Sequence, residues 1–286
     1  MQLTQKSLSM NKNLSPTLAC LLILLVSLTA CKKQDANPNK GILVKTDTTP
    51  VVKVKPVYAL VWSDEFDETT VDTTKWHFET GGGGWGNHEL EYYQPDNATI
   101  ASGNLLITAK KEPVGGMPYT STRMTTQGKF TQTYGRIEAR IKLPMGKGMW
   151  PAFWMLGANI NTVSWPQCGE LDIMEHINAT NVIYGTMHWN VNGHVSYGNT
   201  TVTTPAEYHV YAIEWDANEI RWYVDDTLFQ TGNIKNNINT TDAFHLPFFI
   251  ILNLAVGGDF PGAIVDEGPL PESMYVDYVR VYKQTN

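Results

Sequence analysis

The chain has 286 residues, 42% hydrophobic and 17% charged, with a formal charge of −7. It is long and apolar enough for one substantial core, and its negative balance excludes nucleic acid and other polyanions as natural partners. Three cysteines do not make a disulfide framework, so the fold must rest on that core.

At the start, Lys6 and Lys12 precede an uncharged apolar run from Leu14 to Ala30, "LSPTLACLLILLVSLTA", which ends at Cys31. Residues 1–30 read as an export signal. The exit "LTAC" resembles the bacterial lipobox, whose cysteine is lipidated and becomes the first mature residue. The alternative is a single transmembrane anchor; about 17 residues is the lower edge of spanning length, and the small-residue exit with cysteine favours lipidation of Cys31. The protein is then expected in the bacterial cell envelope, held by lipid alone, on the outer membrane, with its face open. Removing residues 1–30 takes away two lysines and no acid, so 19 basic against 28 acidic side chains leave −9. Cys20 leaves with the signal and Cys31 carries lipid, which leaves Cys168 alone.

Residues 31–57 follow, with "KKQDANPNKGILVKTDTTPVVKVKP" from Lys32 to Pro56 rich in Lys, Thr, Pro and Asn and free of aromatics. This composition predicts an extended tether. From Tyr58 the aromatics arrive, and residues 58–286 read as one domain without internal repeats. Its periodicity is two. "NLLITAK" alternates, and in "RIEARIKL" Arg136, Glu138, Arg140 and Lys142 alternate with Ile137, Ala139, Ile141 and Leu143, giving one wet and one buried face. "YHVYAIEW" carries the same signature, "EIRWYVDDTLFQ" predicts a hairpin turning at Asp225-Asp226, and "MYVDYVRVY" a closing strand. "FFIILNLAVGG" is ambiguous between strand and helix, and its β-branched and aromatic content favours a buried strand. Short strands without a long helix predict an all-β sandwich or jelly roll.

The stretch "GELDIMEH", Gly169 to His176, crowds three carboxylates into six residues. On a helix, at about 100° per residue, Asp172 would lie about 200° and Glu175 about 140° from Glu170, and the acids would scatter. On a regular strand Glu170 and Asp172 share a face while Glu175 has the opposite parity. One extra residue, a β-bulge between Asp172 and Glu175, returns Glu175 to the others and leaves Leu171 and Ile173 facing the core. Glu170 and Glu175 would then stand roughly 13 Å apart at Cα. Their side chains, leaning together, would reach the ~5 to 5.5 Å separation of retaining glycoside hydrolysis. The competing readings are a calcium site or a solvated acidic face. Trp150 and Trp154 share a face by parity and Trp165 lies five residues before Glu170. Indole surfaces beside acids suit a sugar ring, although each Trp taken alone also suits a core.

Together with these residues, "GWGNHELEYYQ", "GRIEARIKLPMGKGMWPAFWMLG", "SWPQCGELDIMEH", "TMHW", "FFIILNLAVGGDFPG" and "MYVDYVRVY" resemble, in order, the laminarinase-like branch of glycoside hydrolase family 16, in the bulged version of its Glu-x-Asp-x-x-Glu signature with Met174 as the extra residue. The resemblance implies a β-jelly roll of two curved antiparallel sheets with an open concave cleft, and an endo-1,3-β-glucanase that acts on laminarin by double displacement. Mixed β-1,3/1,4-glucan is a further substrate, and the sharing between water and sugar acceptors stays open. It implies Glu170 as nucleophile, Glu175 as acid/base and Asp172 as their assistant. Asn87, Arg123, Trp150, Trp154 and His188 become cleft residues for glucose units, and Trp85 and Trp165 add stacking surface; His188 keeps a competing reading as a core histidine. No cofactor is implied for catalysis. A structural Ca²⁺ is, held by Glu65, the Gly103 carbonyl and Asp277. The protein is expected to be a monomer. Glu91 departs from the family's usual glutamine, and parity sets it beside Glu89. Two other readings remain: a non-catalytic polysaccharide-binding jelly roll, which has no need of two acids in that register, and a sibling agarase or carrageenase. An anionic substrate would demand a more basic cleft.

Overall fold

The computed structural model describes residues 56–286; the expected signal, Cys31 and nearly all of the tether lie outside the described residues. In chain order the first strands are β1 (Tyr58–Asp64), β2 (His77–Glu79), β3 (Glu91–Tyr93), β4 (Ala98–Ala101), β5 (Asn104–Ala109), β6 (Tyr119–Ser121), β7 (Arg123–Thr125), β8 (Gly135–Lys142) and β9 (Met149–Gly157). A short helix, α1 (Ile160–Val163), precedes β10 (Glu170–Glu175), β11 (Val182–Asn190), β12 (His194–Val202) and β13 (His209–Trp215). The last are β14 (Glu219–Val224), β15 (Thr227–Asn233), β16 (Phe248–Val256) and β17 (Glu272–Gln284).

Two antiparallel sheets form a β-jelly roll. One runs β15-β14-β13-β8-β17-β5-β4, with β1 also paired to β17; the other runs β12-β11-β10-β9-β16-β7-β2. The short β3 and β6 pair in parallel. Alternation explains the layers: β5 and β14 bury every second residue, and β11 does so over its whole length. The Asp225-Asp226 hairpin forms as the sequence predicts, with Val224 opposite Thr227 and Asp225 left-handed at φ 52°.

The ambiguous "FFIILNLAV" is strand β16, and all nine of its residues are buried. Phe248, Ile250, Leu252, Leu254 and Val256 enter the core between the sheets. Phe249 and Ile251 take the opposite parity and join Leu156 and Cys168 in a smaller cluster, against which Trp154 and Ile160 are laid. Asn253 shares that second parity, which brings a polar side chain to the floor beneath Trp154.

Candidate active site

The acids are set by β10. Gly169, at φ +78°, has no room for a side chain, since a Cβ would meet Ala243 and Phe248 at 2.9 Å; this pins the strand's entry. Against β11, Glu170 faces His188, Asp172 faces Thr186 and Glu175 faces Tyr184, so three steps on β10 span two on β11. The bulge lies where parity requires it. Against β9, Asp172 pairs with Trp154 and Met174 with Phe153, so the residue left out of that ladder is Ile173, not the expected Met174. Both are fully buried in the core with Leu171. The carbonyl of Asp172 accepts a hydrogen bond from Trp222 Nε1 of the opposite sheet at 2.8 Å, which satisfies a group buried at the bulge.

Trp165 Nε1 donates to Glu170 Oε2 at 3.1 Å and Trp150 Nε1 donates to Glu175 Oε1 at 2.9 Å. Asp172 is 3% exposed. His188 Nε2 stands 3.0 Å from Asp172 Oδ2 and 3.9 Å from Glu170 Oε1, with the Asp172 contact off the line of an N–H···O bond. The other ring nitrogen, Nδ1, meets His194 Nε2 at 2.8 Å. His188 is therefore not a core histidine: its ring lies against Asp172 and Glu170 and beside Trp165 of the cleft wall.

Burial, and then the charge of Asp172, push Glu170 and Glu175 each up to about 8; burial pushes Asp172 up to about 8. The three titrate as a set that shares protons near neutral pH. Its members differ in their surroundings. His188 and Arg123 both favour the ionised form of Glu170, whose side chain keeps 18% exposure to water. Glu175 receives the indole donor and the more distant help of His188. Both glutamates nonetheless stand at about 8, each with an indole donor of its own, so either can hold the shared proton near neutral pH.

Trp85, Asn87, Arg123, Trp150, Trp154 and Trp165 line one cleft with the three acids. Arg123 lies between two of the indoles, 5.1 Å from the Trp85 ring centre and 4.8 Å from that of Trp154, and pairs with Glu79. Asn87 donates to Glu89 at 3.0 Å. Reasoning from sequence missed Asn253, which accepts from Trp154 Nε1 at 2.7 Å; its signal was a lone polar residue in an apolar strand. It also missed His194 and Phe260, the latter 5.6 Å from Trp150 and 4.9 Å from Tyr184 between ring centres.

The acids expected to hold calcium each have partners within the protein. Glu65 accepts from Arg280 Nε and Nη2 at 3.0 and 2.7 Å, which holds its carboxyl below the usual range. Asp277 accepts from Arg140 Nη1 at 2.6 Å. Gly103 is a left-handed turn residue at φ +69°. With each carboxylate already neutralised by its own guanidinium, the three do not fit a hard dication that needs several free oxygens.

A beta-glucanase of Rhodothermus marinus is 44% identical over 249 residues, 80% of this chain and 86% of that protein. The clotting factor G alpha subunit of Tachypleus tridentatus is 41% identical over 237 residues, and the match covers 81% of this chain but 35% of that longer protein. The solved catalytic domain of an endo-1,3-beta-glucanase (laminarinase) from Thermotoga petrophila superimposes with a TM-score of 0.76 at 44% identity, covering 81% of this chain and all of that one. The family model described as glycosyl hydrolases family 16 matches residues 86–280, a span that takes in Trp150, Trp154 and Trp165 of the cleft, the bulged strand and most of β17, and the chain belongs to that family.

Proposed function

We propose that the described domain is an endo-acting, retaining glycoside hydrolase that cleaves β-1,3-glucan of the laminarin type and accepts mixed β-1,3/1,4-glucan. The observation that carries this reading is the bulge in β10, which gathers three acids on one cleft among indoles; the kinship with a beta-glucanase and a laminarinase supports the substrate class. Glu170 attacks the anomeric carbon as the bond to the departing oxygen breaks, and Glu175 gives that oxygen its proton. A covalent glycosyl-enzyme forms. Glu175 then takes a proton from water as the water displaces Glu170, and two inversions leave the β configuration unchanged. Asp172, buried between them, ties the two titrations together. These steps use carboxylates alone and call for no cofactor. A pure binding module would have no use for a buried acid cluster, whose members are costly to keep together.

Proton NMR of the first products from laminarin tests the reading: the β anomer is expected. An initial α anomer would mean inversion, with carboxyls about 6.5 to 9.5 Å apart, and would overturn both roles. Lichenan, agarose and carrageenan digested in parallel define the linkage, and polymer length should fall before much glucose appears.

The domain is a monomer in this reading, and the full chain is a lipoprotein of the cell envelope, with residues 1–30 as signal, Cys31 lipidated and the following residues as a tether to the outer membrane. The uncharged run before Cys31 supports it. Cys31→Ser should release the protein from the membrane fraction or block processing, whereas unchanged membrane association would point to a transmembrane anchor.

A further inference from the structure

A second pair of acids, Glu89 at the cleft wall and Glu91 behind it, takes no part in the chemistry above. Glu91 is fully buried and Glu89 is 4% exposed. Among the described residues neither is salt-bridged to a cation. Glu91 opens β3, opposite Tyr119 of β6, and its Oε2 accepts the backbone N–H of Val256 at 2.6 Å. Its Oε1 has no donor. Each oxygen of Glu89 has one donor by contrast: Oε1 accepts from Asn87 at 3.0 Å and Oε2 from the Tyr93 hydroxyl at 2.9 Å, which leaves a lone pair for one more. That hydroxyl accepts in turn from Asn253 Nδ2 at 3.1 Å, and Asn253 Oδ1 accepts from Trp154 Nε1 at 2.7 Å. One chain of hydrogen bonds thus runs along the floor from Asn87 to Trp154, with Asn87, Glu89, Asn253 and Trp154 all lining the cleft.

Two adjacent buried carboxylates without a cation do not both ionise. The proton belongs on Glu91, because its Oε1 lacks a partner as an acceptor and gains one as a donor toward Glu89. Burial first, and the charge of Glu89 second, hold the Glu91 carboxyl well above the usual carboxylate range. The other titratable groups around the pair do not alter this. Tyr93 is kept a neutral phenol by its own burial, Tyr119 is likewise raised by burial, and Arg123 of β7 is engaged by Glu79 of β2. His88 and Asp259 pair with each other in solvent. From β16 the pair meets Asn253 and Val256, which carry no charge.

We infer that Glu91, as a neutral acid, is a positioning residue for the sugar-binding floor: it donates to Glu89, fixes the network that orients Asn87 and Trp154, and makes substrate affinity fall when it ionises. This rests on the proposed action of the cleft on β-glucan. The network reaches Trp154, which lies opposite Asp172, while Glu175 at the other end of the bulge rests on Trp150. Ionising Glu91 should therefore weaken binding without directly disturbing the acid that protonates the leaving group.

The test measures laminari-oligosaccharide binding by calorimetry at pH 7 and pH 9.5, in a Glu170→Ser background that prevents turnover, with kcat and KM on laminarin measured in parallel without that change. Without a change at position 91, Kd and KM should rise with pH by about tenfold more than they do with Gln at that position, the equivalent of one hydrogen bond to a charged group. Glu91→Gln can both accept from Val256 and donate to Glu89 whatever the pH, so its Kd should follow only the ionisation of the cleft acids Asp172 and Glu175 that it shares with the parent, and its thermal midpoint at pH 7 should equal that of the parent. Glu91→Leu, which can do neither, should already show the weak binding at pH 7. An alkaline rise in Kd that is the same with Gln at position 91 would overturn the inference even if Glu91→Leu fails to fold. A wild type that does not cleave laminarin at pH 7 would instead overturn the functional reading, and this inference with it.

Discussion

Replacing Glu175 with glutamine keeps the acceptor that Trp150 Nε1 uses at 2.9 Å and removes a carboxyl raised from 4.5 to about 8 by burial and by Asp172. Between those two values the folded protein holds a proton that the unfolded chain has released. The stabilisation from holding it is fully present below about pH 4.5 and is lost as the pH rises through about 8. Each pH unit in the middle of that window is worth about 1.4 kcal/mol for one group and less near either pKa, so going from pH 5 to pH 8 lowers the stability of the wild type by about 3.5 kcal/mol relative to the variant. Sharing of protons with Glu170 and Asp172 trims this to about 2 to 3 kcal/mol. For a domain of this size that corresponds to a gap in thermal midpoint of about 4 to 12 °C at pH 8, in favour of the inactive variant. Urea unfolding followed by tryptophan fluorescence at pH 5, 6.5 and 8 measures the gap, and contributions common to both proteins cancel. Parallel pH curves would refute the reasoning. A gap that widened toward acid would show that Glu175 is ionised in the fold and would remove it as the proton donor.

Glu170→Ser should lower laminarin hydrolysis by at least about 10³-fold while calorimetry still records oligosaccharide binding. His188→Ala removes a positive neighbour that favours the ionised form of Glu170, so the acid limb of kcat/KM should move to higher pH in the rate profile. Arg123→Ala leaves Glu79 without its partner and two indoles without the cation between them. It should cost about 2 to 4 kcal/mol of stability in urea and raise KM, and Arg123→Lys should restore the charge but not the stacking. Trp150→Phe keeps a ring against Phe260 but loses the donor that favours the Glu175 carboxylate, so the alkaline limb should shift upward.

Parity carried much of this site. Three acids of mismatched parity in "ELDIME" require a bulge, and Trp150 and Trp154 require a common face; both follow from the two-residue period of a strand, which no tertiary contact can change. The same rule placed Glu91 beside Glu89. It could not say which of Ile173 and Met174 leaves the ladder, since both are apolar and both are buried. Nor does it see partners from distant strands. The contact of His188 with Asp172 depends on the register of β11 against β10, and the arginines that occupy Glu65 and Asp277 come from β17 and β8. A ligand set carried over by likeness is blind to a cation that arrives from another part of the chain.

The position of β10 inside its sheet bears on how the protein fails. β11 flanks it on one side and β9 on the other, and the bulge carbonyl is fastened to Trp222 of the facing sheet. To move apart, Glu170 and Glu175 must break two ladders and a bond between the layers, which amounts to opening the sandwich. Fraying at the outer strands β12 and β2, by contrast, leaves the acids in place. Backbone amides of β10 should then be among the slowest to exchange with deuterium. Heat inactivation should coincide with loss of the near-ultraviolet circular dichroism signal and not precede it, so residual activity after heating counts intact molecules.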